Sequence, residues 1–311
     1  MIGPRRPVAR FIALITLAVI AAACGGGADE DDSRLDVVAS TTILAHFVEQ
    51  VGGDEVTVQA LVPAGADAHT FSLTPGAVRD IARADLVVIA GSGLGAVEDD
   101  MMRNARGRVL VLTEGMPLKP FPPGLVHGDG NDPGDTDDDD HDHGAVDPHF
   151  WMDIDLVATA VEAIRDALVA LDPERADIYT GNAAAFAADL EALDAEIREM
   201  LAGLPEQRRY LVTFHDAYGY FADRYGLTIL GFVVEGPEEE PSAATIAALV
   251  REMRERDIGY VFTEPQFSSR VVEQLARDTG AVVRTIPSGS LSDEYPTYRE
   301  FMLAIARGIA E

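Results

Sequence analysis

DPERADIYTGNAAAFAADLEALDAEIREMLAG, residues 172–203, is the stretch in the middle of the chain that decides the fold. Asp172 followed by Pro173 is typical of a helix N-cap with a proline in the first turn. Large side chains then recur at spacings of three and four residues, which places them along one face of a helix. They are Tyr179, Asn182, Phe186, Leu190, Leu193, Ile197 and Met200.

A helix from residue 173 to residue 201 would be roughly 43 Å long at 1.5 Å per residue. Helices of globular proteins average about three turns, so we expect this one to run along two lobes and join them. A rigid connector of this kind limits hinge motion between the lobes. The alternative is two ordinary helices, broken near Gly181 and Asn182.

Short strand-like runs, rich in β-branched and other apolar residues, alternate with helical patterns on both sides of this helix. Strand-helix alternation predicts parallel sheets. The expected fold is therefore α/β, with two lobes that each contain a parallel sheet flanked by helices, joined by one long helix. The predicted strands span residues 35–39, 56–62, 86–90, 109–112, 210–214, 229–234, 260–263 and 282–286, and predicted helices include those that begin at Thr74-Pro75, Ser242 and Arg270.

The N-terminus predicts export. Arg5, Arg6 and Arg10 precede an apolar run over residues 11–23, which ends in small residues before Cys24. This is the pattern of a signal peptide. A helix needs about 20 apolar residues to cross a bilayer, so the shorter run disfavours the alternative of a permanent transmembrane anchor.

Cys24 is the only cysteine, so no disulfide can form within the chain. The stretch Ala21-Ala22-Ala23-Cys24 resembles a bacterial lipobox, in which cleavage before the cysteine leaves it as a lipidated N-terminus. We therefore expect a membrane lipoprotein that faces the periplasm or the cell exterior, with simple cleavage and release as the alternative. Residues 24–34 then form a flexible tether.

The predicted organisation is a signal peptide over residues 1–23, the tether, an N-terminal metal-binding lobe over residues 35–171, a linking helix over residues 172–203 and a C-terminal metal-binding lobe over residues 204–311.

The formal net charge is −29, and removal of three arginines with the signal peptide brings it to about −32 (−29 minus 3). Such a surface repels phosphate backbones, so nucleic-acid binding is not expected, whereas cations are attracted. The alternative is that the acidity only keeps the protein soluble.

Six of the seven histidines fall into two groups. His127, His141 and His143 lie in the acidic, glycine-containing segment 127–144, which is expected to be disordered. His69, His149 and His215 each lie beyond the carboxyl end of a predicted strand, at the sheet edge where ligands bind in open parallel sheets. The last three would converge if the two lobes face each other across a cleft.

Imidazole nitrogen suits zinc, copper, iron and nickel, and a neutral imidazole can bind a metal without placing a charge of its own in the protein interior. Each of these histidines taken alone is more readily explained by a structural role than by a role as a metal ligand. Their separations of 80 and 66 residues, and the absence of a short motif such as His-Glu-x-x-His, leave the choice open.

Five stretches resemble the metal-binding receptors of bacterial ABC importers, the cluster that takes zinc or manganese. They are PAGADAH (63–69), LTP (73–75), ADLVV (84–88), DPHFWMD (147–153) and FHDAYGYF (214–221). The resemblance covers nearly the whole mature chain and implies the same two-lobed architecture with one long helix. It also implies a monomer that delivers its ion to a membrane permease powered by a cytoplasmic ATPase.

The resemblance also implies a ligand set. The first three metal ligands of the family correspond to His69, His149 and His215. Manganese-type members usually have a carboxylate at the third position and zinc-type members have histidine, so zinc is expected as the transported ion, ahead of manganese. A manganese or iron receptor of the same family is the alternative.

The segment 127–144 resembles the acidic, histidine-containing loop that gathers ions in zinc-type members, with a merely solvated loop as the alternative.

The fourth ligand departs from the family pattern. The usual aspartate is replaced by Gly289, which leaves Asp293 or a water molecule to complete the shell. A site with three histidines and an open position is also used by zinc hydrolases, and the only suggestive general bases are Glu264 and the run 238–240. Glu264 is explained as a family position at a strand end that hydrogen-bonds to backbone or orients a ligand, and the run 238–240 as a surface turn before the helix at Ser242. We therefore expect a receptor and not an enzyme.

Overall fold

The computed structural model of the chain describes residues 34–120, 146–234, 236–237 and 239–311, together with Met1 and Gly3. The rest of the predicted signal peptide, Cys24, most of the tether and the acidic segment 127–144 lie outside the described residues. Within the described part of the chain, every helix is too short or too polar to cross a membrane.

The N-terminal lobe is built on a four-stranded parallel sheet with the order β2-β1-β3-β4. The inner strands β1 and β3 are mainly Val, Leu and Ile and are largely buried, as expected for a sheet covered on both faces. The elements are β1 (Leu35–Ala39), α1 (Thr42–Gly52), β2 (Val56–Ala60), α2 (Pro75–Ile81), β3 (Leu86–Ile89), α3 (Ala96–Asn104), β4 (Arg108–Val111) and α4 (Ile154–Leu171).

The long helix α5 spans Ala176–Ala202, 27 residues without a break at Gly181. It begins three residues later than predicted, because Pro173–Arg175 form a separate 3-10 turn. The Tyr179 hydroxyl, in the first turns of α5, donates to Asp172 just before that turn. The predicted apolar face is buried, including Phe186, Leu190 and Ile197. The prediction of one long central helix is confirmed.

The C-terminal lobe contains two parallel ladders, β5 with β6 and β7 with β8, and β5 lies beside β7. Among the described residues these ladders are not hydrogen-bonded into one continuous sheet. The elements are β5 (Tyr210–Thr213), α6 (Gly219–Tyr225), β6 (Thr228–Phe232), α7 (Ala243–Glu255), β7 (Tyr260–Thr263), α8 (Arg270–Thr279), β8 (Val282–Thr285) and α9 (Tyr298–Ala310).

One apolar interior runs through both lobes. Phe47 of α1 contacts Tyr298 of α9 edge to face at 5.1 Å between ring centroids, and it also contacts Phe186 of α5 at 6.1 Å. All three side chains belong to the largest cluster of buried residues, which includes strands, helices and loops of both halves. Residues 34–311 accordingly form one compact unit. Opening the lobes would expose apolar surface at about 25 cal/mol per Å², so large hinge motion is disfavoured.

His46 lies on the buried face of α1, edge-on to Phe186. Burial lowers the pKa of His46 to about 4, against the opposing attraction of Glu300. The unfolded chain, whose histidine titrates near 6.5, therefore takes up a proton over a pH range in which the folded protein does not. Stability due to neutral His46 is present above pH 6.5 and is lost as the pH falls toward 4.

Both proteins should lose free energy of unfolding when the pH is lowered from 7 to 4.5 in the absence of metal. We predict that this loss is smaller in His46→Phe than in the wild type, by about 2–3 kcal/mol. Phenylalanine keeps the edge contact with Phe186 and removes the titrating group. Urea unfolding at a series of pH values measures the difference, and parallel pH profiles of the two proteins would contradict the assignment.

Candidate metal centre

Three histidines converge where the two lobes meet. The metal-ligating nitrogens of His69, His149 and His215 all lie within 4.8 Å of one another. The Nε2 atoms of His69 and His149 are 3.3 Å apart. Two nitrogens bound to one tetrahedral zinc ion at about 2.0–2.1 Å would be about 3.3 Å apart. The spacing of this pair therefore fits a shared tetrahedral ion.

Among the described residues, this is the one group of three side chains with metal-ligating atoms whose donors come so close together. His149 and His215 are each 2% exposed, whereas His69 is half-buried. The three residues that the sequence singled out thus meet in the structure, with two from the N-terminal lobe and one from the C-terminal lobe.

His69 is presented by the loop that follows β2. Asp67 accepts hydrogen bonds from the backbone nitrogen and the hydroxyl of Thr70 at 3.1 and 2.8 Å, which closes a turn around His69. Gly95 packs against the same turn, and a Cβ there would lie 2.6 Å from the Ala68 carbonyl oxygen and 2.9 Å from the His69 Cα. Only glycine allows this close approach.

His149 is oriented by Asp147, two residues before it. Asp147 Oδ1 accepts from the His149 backbone nitrogen at 2.9 Å and pairs with Nδ1 at 2.8 Å. Asp147 is itself held in place, because its backbone nitrogen donates to the Lys119 carbonyl and its carbonyl accepts from the Tyr220 hydroxyl. This pairing favours the tautomer with the proton on Nδ1, in which the Nε2 lone pair is available to an ion.

His215 has the same arrangement with a partner distant in sequence. Its Nδ1 lies 2.7 Å from Glu264 Oε1, and both side chains are almost fully buried. Burial alone would lower the pKa of His215, but the charge and the hydrogen bond of Glu264 outweigh it and raise the pKa. Here too the carboxylate fixes Nδ1–H, which leaves Nε2 free as a ligand.

The two carboxylates also balance charge. A divalent cation held by neutral imidazoles would bring two positive charges into a site that is largely closed to water, and burying an uncompensated charge is costly. Asp147 and Glu264 supply two negative charges directly behind the ligands. The site is therefore suited to a divalent cation without a carboxylate in contact with the ion.

The cavity beside the histidines has a volume of about 10 Å³, which is the space of one ion or water molecule. Its lining includes the three histidines together with Asp67, Gln266 and Gly289. An organic substrate does not fit, so the geometry gives no support to hydrolysis. Glu264, the general base that a hydrolase would need, is already engaged with His215.

The structure corrects the expectation for the fourth ligand. Asp293 is exposed and does not line the cavity, because the chain turns outward after Leu291, with Ser292 bonded to the Tyr295 carbonyl. Gly289 lines the cavity, as the family pattern implies for that position, but offers no side chain. Among the described residues, three histidines are the ligand set that the geometry supports.

Sequence reasoning missed the partner of His149, although it offered the orienting of a ligand as one explanation of Glu264, which pairs with His215. Asp147 is the first residue of the stretch DPHFWMD (147–153). Its position two residues before His149 was the signal in the sequence that could have indicated the pairing. Ser288 and Gln266, which contact Glu264, are 22 residues apart in the chain and carried no comparable pattern.

A family model described as zinc-uptake complex component A, periplasmic, matches residues 37–311. The chain belongs to this family. The resemblance drawn from the sequence is therefore confirmed, and so is the α/β architecture. The chain is a metal-binding receptor of the ABC-importer class and not an enzyme.

Individual relatives differ in the metal of their names. The manganese-binding lipoprotein MntA of Halalkalibacterium halodurans is 30% identical over 270 residues, which cover 86% of this chain and 84% of that protein. The iron-binding protein YfeA of Yersinia pestis is 28% identical over 272 residues, with coverages of 87% and 82%. The structure of the periplasmic zinc binding protein TroA from Treponema pallidum superimposes with a TM-score of 0.77 at 25% identity and covers 89% of this chain and 98% of that one.

We predict that Asp147→Asn weakens zinc binding about 10- to 100-fold, the usual cost of losing a partner of a metal ligand. The amide keeps the size of the side chain but removes the charge and the firm orientation of His149. Competition with a chromophoric chelator measures the affinity. Asp189→Asn, an exposed position on α5, is the matched control, and equal affinities for the two variants would contradict the role of Asp147.

Proposed function

We propose that this chain is an extracytoplasmic receptor that captures one zinc ion and delivers it to an ABC permease for import. The observation that supports it most directly is the spacing of the imidazole nitrogens of His69, His149 and His215, within 4.8 Å of one another. His149 and His215 each have Nδ1 paired with a buried carboxylate, which favours the tautomer whose Nε2 is open to a metal. The family supplies the import context.

Zinc is favoured by the ligand set and not by the names of relatives, which include manganese, iron and zinc binders. Manganese prefers oxygen ligands in octahedral geometry, whereas three imidazole nitrogens suit tetrahedral zinc. A water molecule in the small cavity would complete the tetrahedron. A manganese or iron receptor of the same family is the competing proposal. An oxygen ligand at the open coordination position would favour it over zinc.

The remaining parts of the proposal concern attachment and partners. We propose that cleavage after residue 23 leaves Cys24 lipidated, and that residues 24–34 tether the receptor to the membrane. Relatives in this family are named lipoproteins. The receptor then works as a monomer, with lobes at residues 35–171 and 204–311, and passes zinc to a permease driven by a cytoplasmic ATPase.

We predict that residues 34–311, which form one compact unit, bind one zinc ion at least tenfold more tightly than manganese. His215→Ala should weaken zinc binding by more than a hundredfold, because it removes one of three ligands and leaves the buried Oε1 of Glu264 without its histidine partner. His215→Asp should narrow the preference for zinc, because it introduces an oxygen ligand.

Isothermal titration calorimetry with both ions measures these affinities. Asp293→Ala is the matched control and should bind zinc like the wild type. Tighter binding of manganese than zinc by the wild type, or normal binding of both ions by His215→Ala, would overturn the zinc assignment.

We further propose that the acidic segment 127–144 gathers ions near the site. The described ends of the insertion are joined, since the Asp147 backbone nitrogen donates to the Lys119 carbonyl at 2.8 Å. Deletion of residues 127–144 should therefore leave the tight zinc site intact and remove weak sites only. Calorimetry over micromolar to millimolar zinc measures this, and unchanged stoichiometry at every affinity would show that the segment is merely solvated.

A further inference from the structure

The loop that follows β8 joins the two lobes beside the metal centre. We call residues 286–291 the bridging segment. Its backbone and side chains contact the N-terminal lobe at three points: the Leu291 nitrogen donates to Thr42 Oγ1 at 2.8 Å, the Gly65 nitrogen donates to Ser290 Oγ at 3.3 Å, and Trp151 Nε1 donates to the Ser288 carbonyl at 2.8 Å. The segment therefore belongs to the C-terminal lobe by sequence and is anchored to the N-terminal lobe by hydrogen bonds.

Ser288 is the residue of this segment that reaches the carboxylate behind His215. It is 1% exposed, and its hydroxyl donates to Glu264 Oε2. Gln266 Nε2 donates to the same Ser288 oxygen at 2.9 Å and to Glu264 Oε2 at 3.2 Å. Oε2 of Glu264 thus accepts from two donors, and Oε1 pairs with Nδ1 of His215. The carboxylate cannot rotate without breaking these buried hydrogen bonds.

The backbone of Ser288 reaches the other buried ligand. Its carbonyl accepts from Trp151, whose indole packs edge to face on His149 at 5.3 Å between centroids. Trp151 is 1% exposed, and its own carbonyl accepts from the Tyr298 hydroxyl at 2.6 Å. The indole is therefore held by the Ser288 carbonyl and by its contact with His149, while the Tyr298 hydroxyl fixes the Trp151 backbone.

We propose that Ser288 is a positioning residue that holds His149 and His215 at the separation required by one ion. Its hydroxyl fixes the carboxylate behind His215, and its carbonyl fixes the indole that packs on His149. This inference rests on the proposed function, because it assigns a role at the same metal centre. Ser288 touches no ion itself and acts through Glu264 and Trp151.

The physical reason is the short range of coordination. Zinc–nitrogen bonds are confined to about 2.0–2.1 Å, so a shift of a few tenths of an ångström in one imidazole lengthens or bends a bond. Removal of the Ser288 hydroxyl leaves Glu264 with one donor fewer on Oε2. The carboxylate then turns toward Gln266, and His215, which follows Oε1, loses its alignment with the other two ligands.

The test compares Ser288→Ala with Ser290→Ala in the full-length mature protein. Ser290 is also buried and also bonds across the lobes, to Gly65, but it does not touch Glu264 or Trp151. We expect Ser288→Ala to weaken zinc binding about tenfold, at the lower end of the range for residues that orient metal ligands, and Ser290→Ala to change it less than twofold. Ser288→Cys, which keeps a weak donor, should recover part of the loss.

Two spectroscopic readouts separate positioning from general destabilisation. Cobalt in place of zinc reports ligand geometry through its visible absorption, and Trp151, the only tryptophan in the chain, reports the indole environment through its fluorescence. The cobalt spectrum should shift in Ser288→Ala and not in Ser290→Ala, whereas Trp151 fluorescence should stay unchanged in both variants, because the alanine substitution keeps the backbone carbonyl that accepts from the indole. Thermal unfolding of the metal-free variants shows whether each one folds.

A double-mutant cycle with Glu264→Gln completes the design. Because Ser288 acts through Glu264, the double variant should bind zinc no more than about twofold more weakly than Glu264→Gln alone. If the wild type binds no zinc, the proposed function fails. If the wild type binds zinc and Ser288→Ala, folded, matches it in affinity and cobalt spectrum, only the role of Ser288 fails. A fully additive cycle also overturns that role.

Discussion

The apolar interior shared by the two lobes is the constraint on which the rest of the structure depends. Phe47 of α1 packs against both Phe186 of α5 and Tyr298 of α9, and all three belong to the largest buried cluster. A helix of 27 residues that buries a face along both lobes keeps their sheet edges opposed. The separation between histidines from different lobes is therefore set by packing far from the ion, and the site is largely preformed.

The metal centre combines neutral ligands with charged supports. His149 and His215 are directed by Asp147 and Glu264, and these carboxylates compensate the charge of a divalent cation without contacting it. Such a site differs from one in which a carboxylate binds the ion directly, because the three side chains whose donor atoms converge all offer nitrogens. This arrangement explains how the chain can lack an aspartate at Gly289 and still provide a complete electrostatic environment for the ion.

Much of the fold could be predicted, and the misses have physical causes. The strands and the long helix were accessible because hydrophobic periodicity is a local property, whereas the three histidines were singled out by their strand-end positions together with the family resemblance. The helix begins at Ala176 and not at Pro173, since a proline turn can close as a 3-10 turn as well as an α-helical one. Asp293 was expected near the ion because it is close to Gly289 in sequence, but the turn after Leu291 directs it to solvent.

The sequence by itself determined the α/β alternation, the connector helix and which histidines lie at strand ends, because each follows from short-range pattern and residue chemistry. Only the tertiary structure decided that these histidines share one centre, that Glu264 backs His215 across 49 residues of chain, and that Ser288 joins this pair to Trp151. Such contacts depend on how two lobes pack against one helix. Packing of this kind is a cooperative property of the whole buried interior, and no local stretch of sequence carries it.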